Sequence, residues 1–157
     1  MKGYVHMKIL VINGPNLNFL GIRNKGVYGS EDYAFLANKL EDKAKELGVE
    51  LEVWQSNHEG GIIDKLQEAY FENKEGKLAG LVINPGAYTH YSYAIRDALE
   101  PLEMPKIEVH ISNIHEREAF RHISVTEASC TAQIVGKGLE GYCMAMEEIV
   151  KNVSEVK

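Results

Sequence analysis

Glu108, His110 and Ser112 alternate along a short apolar run from Lys106 to Ser112, and an extended chain places alternate side chains on one face. In a strand covered on both sides, a carboxylate and an imidazole are unfavourable to bury unless they pair with each other or with a ligand. Spacing alone leaves both readings open: a self-satisfied structural pair, or a pair that faces a substrate. Two asparagines, Asn13 and Asn84, end two other apolar runs, each in the sequence Ile-Asn followed by Gly-Pro or Pro-Gly. Arg23 and Tyr28 lie in a polar stretch between Gly14 and Asp32. Taken singly, each reads as a solvated loop residue.

Other signals resolve into turns and chance. Gly136-Lys137-Gly138-Leu139-Glu140-Gly141 fits GxGxxG between a strand and a helix, as a dinucleotide site requires. Only one helix follows, so no later strand can carry the acidic residue that would hold a ribose. A tight strand-to-helix turn is expected there. His115-Glu116 begins like a zinc-protease helix, but Ala119 stands where the second histidine of HExxH belongs. Asn152-Val153-Ser154 matches a glycosylation triplet by chance.

Elements that would position these residues follow from pattern. Lys8 to Asn13 is a uniformly apolar, β-branched run bounded by Gly14 and Pro15, the pattern of a parallel strand covered on both faces. Ala79 to Asn84 repeats it; Glu50 to Ser56, Lys106 to Ser112 and Thr131 to Val135 supply three more strands. Tyr33 to Leu47 places Phe35, Leu36, Leu40, Ala44 and Leu47 on one helical face, with Gly48 as a stop. Ile62 to Tyr70, His90 to Leu99 and Leu139 to Val150 read similarly. Strands alternating with helices imply right-handed βαβ crossovers. The expected fold is α/β, a flavodoxin-like three-layer sandwich with a five-stranded parallel sheet in the order 2-1-3-4-5, whose ligands bind beyond the carboxyl ends of the strands. No linker divides residues 1–157, so a single domain is expected, with residues 1–6 an N-terminal extension and Met7 a plausible second start. Gly14 to Asp32 is the long loop, and loops of that length are usually functional or disordered.

Composition excludes several function classes. Of 157 residues, 45% are hydrophobic and 25% charged, which places the chain among globular domains. A formal charge of -6 supplies no attraction for phosphate backbones or anionic lipid, so neither nucleic acid nor membrane is expected as a partner. Cys130 and Cys143 form no CxxC, which reads as two reduced thiols in a cytoplasmic protein. Residues 1–6 lack the apolar stretch of a secretion signal, and no run approaches the roughly 18 residues of a membrane span.

The stretches VINGPNLNFLGIR, VYG, QSNHEG, INPGAYTH, IRDAL and IEVHISNIHEREAFRHIS, in this order and spacing, closely resemble type II 3-dehydroquinate dehydratase from Met7 to about Val150. The resemblance implies a flavodoxin-like fold and dehydration of 3-dehydroquinate to 3-dehydroshikimate through an enolate, in the shikimate pathway, with no cofactor and no metal. It makes Tyr28 the base and Arg23 its activator. A phenol titrates near 10, so a tyrosinate near neutral pH needs an adjacent cation, and arginine never loses its charge. The resemblance further implies a water near Asn16 that holds the enolate, and His110 as the acid oriented by Glu108. Asn84, His90, Ile111, Ser112 and Arg121 resemble the family's substrate contacts, and Asp97 resembles a residue that reaches the site from a neighbouring subunit. A homo-oligomer follows, a dodecamer built as a tetramer of trimers.

The chain departs from the family pattern at Asn24-Lys25-Gly26, which predicts a looser lid, and at Tyr91, Tyr93 and Ala132, which bear on packing and subunit contacts. A flavodoxin-like binding or signalling module is the alternative class. It would carry a Ser/Thr-rich loop or clustered Asp after the first strand, where this chain has GPNLNFLG. A degenerate scaffold would have lost some of Arg23, Tyr28, Glu108, His110 and Arg121, and all are present.

Overall fold

The β-branched run at Lys8–Asn13 forms β1 and is buried from Ile9 onward, because it lies in the interior of a sheet. The computed structural model describes residues 7–155, so the expected extension at 1–6 lies outside the described residues. β1 pairs in parallel with β2 (Glu50–Gln55) and β3 (Gly80–Asn84); β4 (Lys106–His110) and β5 (Ala132–Val135) complete the order β2-β1-β3-β4-β5. This is the doubly wound order expected from the strand pattern.

Strand parity sorts the core into two layers. Ile9, Val11, Val82, Ile107 and Val109 meet α2 (Tyr33–Leu47) and α5 (Glu140–Glu155), while Leu10, Ile12, Leu81 and Ile83 meet α3 (Glu59–Lys74) and α4 (Tyr93–Leu99). α2 has the bounds its periodicity predicts. Asp32 caps it by accepting from the Phe35 amide at 2.8 Å, and Gly48 ends it at φ 69°. Within its expected apolar face, Leu36, Leu40 and Ala44 are buried and Phe35 stays half exposed.

Two helices start elsewhere than predicted. α3 begins at Glu59, because Gly60 and Gly61 are helical here despite their low propensity. α4 begins at Tyr93, three residues late: Gly86–His90 is a separate 3₁₀ turn, and Ser92 caps the new helix through the Ile95 amide at 3.0 Å.

The long loop after β1 is ordered into short pieces. A 3₁₀ turn covers Leu17–Phe19, and a single helical turn, α1, covers Lys25–Tyr28. Asn24, one of the departures from the family pattern, caps α1 by accepting from the Gly26 amide at 3.1 Å. The ends of β1 and β3 lie against each other: the Gly14 amide donates to Asn84 O at 2.8 Å, and a Cβ at Gly14 would collide with the Pro85 carbonyl. The glycine is therefore required by close backbone approach.

Candidate active site

β4 carries Glu108 and His110 on the face away from α5, and both are buried. Their pairing is direct: His110 Nε2 lies 3.0 Å from Glu108 Oε2. Four further groups converge on the same carboxylate. Oε1 accepts from Thr89 at 3.1 Å and from Thr126, and Oε2 accepts from Ser124 at 2.8 Å and from Gln133 at 2.6 Å. Burial alone would raise the Glu108 carboxyl, but the bonds from His110, Thr126 and Gln133 outweigh it and hold it at about 2. Glu108 is therefore an anion, hydrogen-bonded to His110.

These neighbours come from three places. Thr89 lies in the 3₁₀ turn after β3, Ser124 and Thr126 follow the turn Ala119–Arg121, and Gln133 is the direct register partner of Glu108 on β5. None was singled out in the sequence. Gln133 had the clearest signal, as a polar residue in an otherwise apolar strand that must pair beside β4.

A second cluster surrounds Tyr28. Arg23 Nη2 donates to its hydroxyl at 3.0 Å, and the guanidinium sits 4.0 Å from the ring centroid. Arg117 Nη1 donates to the same oxygen at 2.8 Å and lies 3.4 Å from Ser112 Oγ. Two permanent cations thus meet on one phenol oxygen. Arg117 went unremarked in the sequence, where it is one of several charged residues in HEREAF and nothing marks it as folding back onto a loop near the start of the chain.

Ser112, two residues beyond His110, joins this cluster to the β4 end. A cleft of about 670 Å³ opens there, lined by Tyr28, Ile111, Ser112, Asn113, Arg117 and Gly136 among others. Gly136 takes φ 73° and donates its amide to His110 O and Ser112 O, so the glycine-rich segment is a tight turn that holds the end of β4.

The remaining expected site residues are placed as follows. Asn84, at the end of β3, donates to the buried Tyr142 hydroxyl at 2.8 Å. Asn16 has left-handed backbone, φ 67°, and its amide donates to Asn57 Oδ1 at 3.0 Å. His90 Nδ1 meets Ile123 O at 2.9 Å; burial lowers the pKa of this imidazole, with Arg121 and His110 adding to the shift. Arg121 is paired with Glu118 at 2.7 Å. Asp97 stands apart, in a groove of about 680 Å³ between α3 and α4 lined by Ile63, Tyr70, Phe71 and Ala98 among others. On the same helix Ile95 is fully buried in its own chain, while Tyr93, one of the departures from the family pattern, is exposed.

Among the described residues, no group of three or more His, Cys, Asp or Glu is arranged to hold a metal ion, and no helix is long and apolar enough to cross a membrane. Cys130 and Cys143 are both free thiols, and burial pushes Cys130 up to about 12, with the Glu108 charge adding to the effect.

Residues 7–150 match the family described as Dehydroquinase class II. The chain is 62% identical over 144 residues to 3-dehydroquinate dehydratase of Lachnoclostridium phytofermentans, covering 92% of this chain and 97% of that one. It is 55% identical over 150 residues to the protein of the same name from Thermotoga maritima, covering 96% and 99%. The crystal structure of type II dehydroquinase from Butyrivibrio crossotus superposes with a TM-score of 0.88 at 63% identity, covering 92% of this chain and 97% of that one. With the sheet order, the paired Glu108 and His110 and the Arg23–Tyr28 contact already in place, these matches make the chain a member of the class II dehydroquinase family.

Proposed function

We propose that the chain dehydrates 3-dehydroquinate to 3-dehydroshikimate, a step of the shikimate pathway, with Tyr28 as base and His110 as acid. Tyr28, as tyrosinate, removes the proton from the carbon beside the substrate ketone. Arg23 and Arg117 favour that anion, since charge-assisted hydrogen bonds are about twice as strong as neutral ones. The electron pair moves into an enolate, held through a water beside Asn16, whose side chain caps no helix. Collapse of the enolate expels the hydroxyl, which leaves as water with the proton of His110. Glu108 keeps that imidazole oriented. Asn84, His90, Arg121 and the backbone at Ile111 and Ser112 bind the substrate's carboxylate and hydroxyls.

The observation that carries this reading is the reach of Arg117. Its one guanidinium bonds Tyr28 and approaches Ser112, two residues past His110, which ties the Tyr28 loop to the carboxyl end of β4 and supports Tyr28 and His110 serving one site.

The site is completed between chains. Asp97 lies on α4, in the layer opposite the α2/α5 face against which Tyr28 packs, which favours its serving the site of a neighbouring subunit. The resemblance to the family, rather than the position of Asp97, is what supports a dodecamer of four trimers working in the cytoplasm. The test is ultraviolet absorbance of the conjugated enone product. Purified protein given 3-dehydroquinate should form the enone, and Tyr28→Phe should not; absence of enone with the unaltered protein overturns the reading.

A further inference from the structure

Tyr142, on α5, is fully buried and lies between the asparagines that end β1 and β3. Its hydroxyl donates to Asn13 Oδ1 at 2.6 Å and accepts from Asn84 Nδ2 at 2.8 Å. Asn84 Oδ1 accepts from the Gly86 amide at 3.1 Å, and Asn13 Nδ2 lies 3.5 Å from the Tyr33 hydroxyl.

The direction of every bond in this chain follows from one fixed donor. A backbone amide can only donate, so Gly86 N–H requires the oxygen of Asn84 on its side and turns Nδ2 toward Tyr142. The Tyr142 oxygen must then accept, and its own hydrogen goes to Asn13. Flipping the Asn84 amide would set N–H against N–H at Gly86 and oxygen against an oxygen whose proton is already committed. Burial raises the Tyr142 phenol further from ionisation, so its proton stays in place. The two tyrosines thus have opposite surroundings: Tyr28 meets two guanidinium cations, while Tyr142 meets two neutral amides.

We propose that Tyr142 is a positioning residue for substrate binding: it locks Asn84 so that its remaining Nδ2–H, and not its carbonyl, is presented to the substrate. Asn13 is fully buried, whereas Asn84 keeps 3% exposure, so Asn84 is the end of the chain that can reach a ligand. The partner of that N–H is an acceptor oxygen, a carboxylate or hydroxyl of the substrate. The inference rests on the dehydratase reading and on Asn84 as a substrate contact.

The experiment is a double-mutant cycle with Tyr142→Phe and Asn84→Ala, read in KM and kcat separately. Phenylalanine keeps the ring and removes only the lock. KM should rise about five- to tenfold, the size of one neutral hydrogen bond, with kcat changed by less than about twofold. In the Asn84→Ala background the same substitution should leave KM unaltered. A purely structural role would reduce the amount of folded protein without moving KM. An unchanged KM in Tyr142→Phe, or additive effects in the double variant, overturns the proposal. Should Tyr142→Phe fail to fold, the unaltered protein decides by nuclear magnetic resonance. One Asn84 side-chain amide proton should exchange slowly with solvent, and the other should shift when 3-dehydroshikimate is added. Fast exchange of both, or no shift of either, overturns it. Failure of the unaltered protein to form enone would instead remove the dehydratase reading.

Discussion

Arg117 Nη1 lies 2.8 Å from the Tyr28 hydroxyl, joining residues 89 positions apart in the chain. The short helix that carries Tyr28 has no buried residue of its own; this bond and that of Arg23 fix the tyrosine hydroxyl beside the carboxyl end of β4.

Arg117→Met should therefore lower kcat by about 10- to 100-fold, the range for losing a hydrogen bond to a charged group. Arg117→Lys should recover only part of that loss, because an ammonium cannot reproduce the guanidinium's planar fork toward Tyr28 and Ser112. Steady-state kinetics on the enone signal check both. A near-normal kcat in Arg117→Met would show that Arg23 activates Tyr28 unaided.

Tyr28→Phe and His110→Ala should each reduce kcat by more than about 100-fold, with KM changed far less, because the proposed mechanism assigns both groups to proton transfer. If Tyr28→Phe turns over at close to the normal rate, the base must be sought elsewhere, with His90 next in line.

The Glu108 carboxyl is held at about 2 in the folded protein, against 4.5 ordinarily. A carboxyl depressed by folding contributes stability that is complete above about 4.5 and is lost as pH falls toward 2. Urea unfolding followed across that window should show the loss in the unaltered protein. In Glu108→Gln the slope should flatten, and overall stability at neutral pH should drop because the donors around the carboxylate lose their anion. Equal slopes in the two proteins would assign acid unfolding to other groups.

Mixing Tyr28→Phe with Asp97→Asn tests whether sites are shared. After dissociation and reassembly in equal amounts, random assortment in a cyclic assembly returns about a quarter of sites with both native residues. Activity should exceed the mean of the separate preparations. If the mixture shows no gain while unaltered controls recover, Asp97 acts within its own chain or not at all.

The parallel strands were legible in the sequence because full burial demands uninterrupted apolar, β-branched runs, and the twin Ile-Asn ends with Gly and Pro mark where the sheet stops. α2 was legible to the residue, since Asp32, the apolar period and Gly48 all act within a few positions of one another. α4 was misjudged at its start because the 3₁₀ turn at Gly86–His90 continues the apolar spacing, and only the Ser92 cap separates the two. Glu108 with His110 was visible because strand alternation is a two-residue rule. What else satisfies that carboxylate was not, for its other partners are Thr89, Ser124, Thr126 and Gln133, which come from three separate segments. Arg117 and Tyr142 belong to the same class. Local propensity, caps and periodicity act over a few residues and can be read along the chain; hydrogen bonds between a loop, a strand end and a distant helix exist only after the sheet has brought those segments together.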